Sequence, residues 1–255
     1  MRPRATAPAA QPRSAAPASP APGISRQVPA SAPPAATAAA AKAAGFGDDA
    51  SEGPSARELA AKADTLPALR AAIESFNGCP LRSTARCTVF ARGNPQAKVM
   101  VIGEAPGRDE DLHGEPFVGP SGRLLDRVFA SIGLEAEALY LTNVVNWRPP
   151  GNRSPTQEEL AVCLPFIERH IALVKPDLLI LAGGIAAQTL LASSEGITKL
   201  RGKWAEYTLK DASGQATART IPALPTFHPA YLLKRPSEKR FAWQDMLALS
   251  QRLAG

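Results

Sequence analysis

Three short apolar runs, each leading into a turn and a helical pattern, constrain this chain more than any other feature. They are Val99–Gly103 (VMVIG), Leu139–Val145 (LYLTNVV) and Asp177–Ala182 (DLLILA). A strand with one wet face alternates apolar and polar residues, whereas these runs are continuous, as in strands covered on both faces. The intervening segments carry helical spacing. Leu124, Leu125, Val128 and Phe129 recur on one face after about Ser121. Cys163, Phe166 and Ile167 lie in a long stretch that opens on a Ser154–Gln157 cap pattern and reaches Val174, before Pro176. A shorter helix follows Gly183-Gly184 and ends near Leu191. Strands alternating with helices in this way predict an α/β domain with a mainly parallel central sheet.

The flanks are simpler. Residues 1–54 are Ala, Pro and Ser with scattered basic residues. Such a tail buries too little apolar surface to offset its ordering entropy and is expected to be disordered, either as a passive linker or as a weak electrostatic tether to DNA. The ordered domain is expected over 55–255. Ser55 and Glu58 make a capping box, and Pro67 starts a second helix carrying Leu69, Ala72 and Ile73. Irregular β structure is expected from Trp204 to Pro225, and a last helix from about Ser237 to Leu253.

Charge and cysteine usage narrow the function classes. The formal net charge is +6, but Arg2, Arg4, Arg13, Arg26 and Lys42 precede the first acid, Asp48. The rest is nearly neutral, so a polyanion would meet only local basic patches. Cys79, Cys87 and Cys163 are a poor disulfide framework and point to a reducing, cytoplasmic setting. No apolar run is long enough to span a bilayer, so no membrane partner is expected.

The loop after Gly103 holds Glu104, Asp109, Glu110 and Asp111, with Phe117 between small residues. Loops at the carboxyl ends of parallel strands are where open α/β sheets place ligands. The loop has neither a dinucleotide fingerprint nor a P-loop ending, and its acids would repel phosphate. Gly183-Gly184 either cradles a phosphate or, more ordinarily, lets a helix pack closely. Asn143, inside an apolar strand, is either a core amide satisfied by backbone or a reader of an edge with one donor and one acceptor, such as a nucleobase. Phe117 is a stacking platform or a core plug. His228 alone means little. Leu232 and Leu233 beside Lys234 and Arg235 read as an apolar wedge flanked by phosphate contacts, or as the start of an amphipathic helix. Arg148, Asn152 and Arg153 are backbone clamps or solvated loop residues.

Taken in order, these signals resemble one family. Gly103-Glu104-Ala105-Pro106-Gly107, Glu110-Asp111, Pro116-Phe117-Val118-Gly119, Gly122, Leu124-Leu125, Thr142-Asn143-Val144-Val145, Arg148 to Arg153 and His228-Pro229-Ala230 are similar to the family 4 uracil-DNA glycosylases, over roughly Phe76 to the C-terminus. The resemblance implies a three-layer α/β/α fold and a monofunctional enzyme that flips uracil out of DNA, hydrolyses its N-glycosidic bond and leaves an abasic site. By similarity, Phe117 stacks on uracil, Asn143 reads its amide edge, and Glu104 and Ala105 wall the pocket. His228 donates to a uracil carbonyl oxygen, Glu110 is the first choice to stabilise the sugar cation and orient water, and Asn152 positions that water. Leu232 fills the vacated stack, with Arg148, Arg153, Lys234 and Arg235 near the backbone. Related families place Asp at Ala105 and Tyr at Gly107, which leaves the water-activating carboxylate open. The rivals are excision of another damaged base, and a nucleobase- or DNA-binding protein without turnover.

The family holds a [4Fe–4S] cluster on four cysteines. Here two of those positions are Phe76 and Trp147, and only Cys79 and Cys163 remain. Two thiolates do not make that site, so the expectation is a cluster-free, monomeric variant with Phe76 and Trp147 filling the volume and no metal in the chemistry.

Overall fold

The computed structural model describes residues 53–254, so the expectation of a disordered tail lies almost wholly outside the described residues. The first helices, α1 (Ala56–Lys62) and α2 (Leu66–Ser75), open on the caps that their sequences carry. Ser55 and Glu58 form a reciprocal capping box, and the Thr65 hydroxyl accepts from the Ala68 N–H ahead of Pro67. A short helix, α3 (Leu81–Thr84), follows.

Six strands make one sheet: β1 (Arg92–Gly93), β2 (Val99–Gly103), β3 (Leu139–Asn143), β4 (Leu178–Ala182), β5 (Ala205–Lys210) and β6 (Ala216–Thr226). Their order is β1-β3-β2-β4-β6-β5. The four central strands run parallel, and the two edge strands are antiparallel. Both faces are covered, and the two-residue period of the apolar runs divides between them. Met100, Ile102, Leu179 and Leu181 join a core with residues of α1, α2, α6 (Gln157–Val174) and α7 (Gly184–Leu191). Val99, Val101, Leu178 and Ile180 join another with Leu125 and Phe129 of α5 (Pro120–Ala130) and Met246 and Leu249 of α10 (Lys239–Ala254). The layers are therefore α/β/α.

Several boundaries differ from the sequence reading for local reasons. The acids after Gly103 are not all in a loop: Asp109, Glu110 and Asp111 sit in the first turn of α4 (Arg108–His113), where carboxylates oppose the helix dipole. The cap of α6 is Thr156 rather than Ser154. The Thr156 hydroxyl accepts from Glu159 N–H, and the Glu159 carboxylate accepts from Thr156 N–H. The region 204–225 is a strand pair, β5 and β6, with a register shift between Thr208 and Lys210, and β6 also pairs with β4 on its other side. Two short helices, α8 (Ile197–Leu200) and α9 (Pro229–Lys234), complete the set.

The chain leaves β2 for β3 on one side and later returns to β4 on the other. This reversal opens a crevice beyond the carboxyl ends of the strands, the usual ligand position in such sheets.

Candidate active site

A cavity of about 510 Å3 occupies that crevice, within the range of small-molecule sites. Segments far apart in sequence line it: Glu104, Ala105, Glu110 and Phe117 after β2, Asn143, Asn152, Arg153 and Ser154 after β3, and His228, Ala230 and Lys234 after β6. Arg148, Leu232 and Arg235 are outside its lining.

Asn143 ends β3 in register with Gly103 on β2. It is 3% exposed, and among the described residues its side-chain amide has no protein hydrogen-bond partner. A nearly buried amide left open on a cavity is set to pair with a ligand, since burying it unpaired is costly. Gly103 makes the arrangement possible. A Cβ there would collide with Asn143 Oδ1 and lie 2.6 Å from the Phe117 ring.

Phe117 is nearly buried and its backbone is left-handed, at φ 57°. Such a conformation costs an aromatic residue on the order of 1–3 kcal/mol. Arg92, which sequence reasoning passed over, holds it in place. Its Nε donates to Pro116 O at 2.8 Å, and its Nη2 donates to Phe117 O at 3.2 Å and to Asp126 Oδ1 at 2.6 Å. Lone arginines on edge strands carry no sequence signal for such a task.

His228 caps α9: its Nδ1 accepts from Ala230 N–H at 3.1 Å. Because that N–H can only donate, the neutral ring carries its proton on Nε2. Burial pushes the imidazole down to about 4, so it is neutral at physiological pH and offers a donor to the cavity. The ring faces Phe117 with centroids 6.0 Å apart. Gly183, at φ +103°, packs its backbone against His228, and its N–H bonds to Thr226 O. The Gly183-Gly184 pair thus serves a turn and a close approach.

The two cavity glutamates differ. Glu110 Oε2 accepts from Gly107 N–H at 3.1 Å and Oε1 from Gly119 N–H at 3.0 Å, so this carboxylate ties the ends of the loop together. Glu104 makes no such backbone bonds. Burial raises its pKa above the ordinary 4.5, partly offset by the nearby Ser154 side chain. The Ser154 side chain, read from sequence as a helix cap, instead lines the cavity, because Thr156 and Glu159 already complete the cap.

The basic residues also sort by partner. Arg148 Nε donates to Asn152 Oδ1 at 2.6 Å, and its Nη1 is 3.9 Å from Asp111 Oδ2. Arg153 forks onto both oxygens of Glu159 at 2.6 and 2.8 Å. Both are committed within the chain, whereas Lys234 and Arg235 are exposed. Leu232 is 3% exposed and packed with Leu124, Phe227 and Ala242, while its neighbour Leu233 is 41% exposed. The placement of Leu232 disagrees with a wedge role.

The residues at the implied cluster positions do not fit a four-cysteine cluster. Cys79 and Cys163 are buried with sulfurs 4.0 Å apart. Phe76 packs edge-on to Phe166 at 5.3 Å, and the sealed Trp147 donates from Nε1 to Thr88 Oγ1 at 3.1 Å. Among the described residues no group of three or more His, Cys, Asp or Glu is placed to hold a metal. The third thiol, Cys87, donates to Asp111 O.

A doubly covered parallel sheet with an unpaired amide, an aromatic face and a neutral imidazole around one crevice is matched by a known class. The family model described as the uracil DNA glycosylase superfamily matches residues 90–247, more than half of the chain, and the chain belongs to that superfamily. Its kinship within the superfamily lies with the type-4 enzymes. It is 40% identical over 166 residues to a type-4 uracil-DNA glycosylase of Archaeoglobus fulgidus, spanning 64% of this chain and 81% of that protein. It is 34% identical over 199 residues to one from Saccharolobus solfataricus, with 75% and 88% spanned, and 34% over 177 residues to one from Thermotoga maritima, with 68% and 87%.

Proposed function

We propose that this chain is a monofunctional uracil-DNA glycosylase of DNA repair, which flips uracil from DNA and hydrolyses its N-glycosidic bond to leave an abasic site. One observation carries the reading: Asn143 with its open amide, Phe117 and His228, whose proton sits on Nε2, all line one cavity. Uracil presents a donor at N3 and acceptors at O2 and O4. Asn143 accepts from N3–H and donates to O4, and Phe117 stacks on the ring. As the C1′–N1 bond breaks, its electron pair leaves with uracil and spreads onto O2, where the His228 proton stabilises it. Preorganised donors of this kind usually supply the largest catalytic contribution. Water adds to C1′, and the proton it loses passes by way of Glu104 to the departing uracil anion, so that neutral uracil and an abasic sugar leave. Glu104, whose oxygens are free of backbone, is better placed than Glu110 to orient that water and face the sugar cation, and Glu110 holds the loop. Asn152 offers the water its Nδ2, since its oxygen is taken by Arg148.

We further propose that residues 55–255, which hold every cavity residue, are the catalytic domain, and that the enzyme acts as a monomer in the cytoplasm on uracil-containing DNA. Phe76 and Trp147 replace the cluster as packing, and no metal enters the chemistry. No described helix is long and apolar enough to cross a membrane.

The test is a labelled single-uracil oligonucleotide incubated with enzyme and then cleaved with hot alkali. Strand scission at uracil, and not at hypoxanthine or thymine, is expected. Equal scission at another base would make this an enzyme for that lesion. Tight binding without an abasic product would make it a binding protein.

A further inference from the structure

Two buried thiols are left without a task by the base-excision chemistry. Cys79, on the α2–α3 connection, is 1% exposed, and Cys163, within α6, is fully buried. Neither lines the base cavity. The Cys163 S–H donates to the Cys79 sulfur at 4.0 Å. Both belong to one apolar core with Phe76, Trp147 and Phe166. Among the described residues no third His, Cys, Asp or Glu completes a metal site around them. Two thiols in contact, with no further ligand beside them, still have one reaction in common, which is to join.

The geometry is close to that product. A disulfide holds its sulfurs about 2.0 Å apart. From 4.0 Å each sulfur has only about 1 Å to travel, within reach of a rotation about its Cα–Cβ bond. A path for a small oxidant lies alongside. Gly78, the residue before Cys79, lines a hollow of about 380 Å3 with Phe76 and Asn77, and Asn77 is exposed. The third thiol is held apart: Cys87 donates to Asp111 O and lies outside this core.

We propose that Cys79 and Cys163 are a peroxide-sensitive pair, which hydrogen peroxide closes into an intramolecular disulfide in the folded protein. The bond straps the α2–α3 connection to α6. Cys79 reacts first, because the hydrogen bond it receives from Cys163 favours its anion as the nucleophile. Its sulfur attacks one peroxide oxygen and the O–O bond breaks. The other oxygen leaves as hydroxide and takes the thiol proton, giving water, and Cys79 becomes a sulfenic acid. The Cys163 sulfur then attacks the Cys79 sulfur. The S–S bond forms as the S–O bond breaks, and the departing hydroxide takes the Cys163 proton as a second water. Two electrons pass from the thiols to the peroxide. A thiol already in contact with the sulfenic acid captures it before irreversible oxidation sets in. The bond joins residues 84 apart, and closing so long a loop restricts the unfolded chain far more than the folded one. Since neither sulfur touches the cavity, the inference stands independently of the base-excision reading.

The experiment treats folded wild-type protein with hydrogen peroxide, quenches with catalase, then unfolds the chain and labels free thiols with a maleimide that adds a fixed mass. All three cysteines label in the reduced protein. After peroxide a single label is expected, on Cys87, with the tryptic peptides of Cys79 and Cys163 linked, and dithiothreitol is expected to restore the other two. Cys87→Ser, which removes the competing thiol, is expected to pass from two labels to none. The melting temperature should rise by roughly 5–15 °C on oxidation. Three labels after peroxide, a cross-link that includes Cys87, or sulfinic acid at Cys79 in place of a bond would overturn the proposal. An oxidised form that melts no higher than the reduced one would overturn the strap.

Discussion

The proton on His228 is assigned by a neighbour: a backbone N–H takes Nδ1, and burial keeps the ring neutral. His228→Ala should therefore lower single-turnover cleavage by on the order of 10²–10³-fold, as loss of one preorganised donor does elsewhere. Affinity for uracil DNA should change far less, and equal losses in both would assign the residue to binding. Asn143→Asp removes the amide's donor, so the preference for uracil over cytosine should shrink when release from the two bases is compared. Glu104 carries a pH signature. Its pKa is raised, so the carboxylate needed to face a cation is lost as pH falls through a value above the ordinary glutamate range. The acid limb of kcat/KM should lie in that higher range and vanish in Glu104→Gln, while Glu110→Gln should chiefly loosen the loop. Asn143 was legible in sequence because an amide in an apolar strand is conspicuous. The division of labour between the two glutamates was not, since it depends on which one meets the Gly107 and Gly119 amides. Arg92 was invisible for the same reason: its partners are carbonyls 24 and 25 residues away.

Among elements, three of the four central strands, β2, β3 and β4, were readable because double burial leaves continuous apolar runs, and α1 and α2 because their caps are written in single residues. What escaped was set by competition between local options. Thr156 displaced Ser154 as the cap of α6, and α4 formed where acids suggested a loop. The side of α9 that faces the core could not be read from its sequence alone, since Leu232 and Leu233 are chemically alike and differ only in rotation about the helix. The contact between Cys79 on the α2–α3 connection and Cys163 on α6 lies in the same core as Phe76, Phe166 and Trp147, and no other described cysteine belongs to that core. Purified protein should accordingly lack stoichiometric iron, and Cys79→Ser combined with Cys163→Ser should keep its uracil release. Trp147→Ala should instead cost about 3–5 kcal/mol of stability by denaturant unfolding, as large aromatic truncations in cores do. A brown protein with four irons per chain would refute this.

At the scale of the whole molecule, acid sensitivity follows from one sealed and one half-buried imidazole. His170, sealed between Phe90 and Tyr140 and bonded to the Tyr140 hydroxyl at 2.8 Å, is pushed down to about 3, and His228 to about 4. The unfolded chain takes up both protons near pH 6.5, whereas the folded chain resists until far lower pH. Stability should therefore fall as pH drops below about 6.5, with the loss levelling only near the folded values. Melting temperatures across that range should show a shallower slope in His170→Gln. The crevice itself is assembled from chain stretches around 104, 143 and 228, which meet only when the parallel strands are side by side. Synthesis delivers them in that order. A nascent polypeptide that stops short of residue 228 holds Phe117 and Asn143 but lacks the imidazole proposed to stabilise the leaving group. On that proposal, cutting power waits for the last of the three stretches to be made.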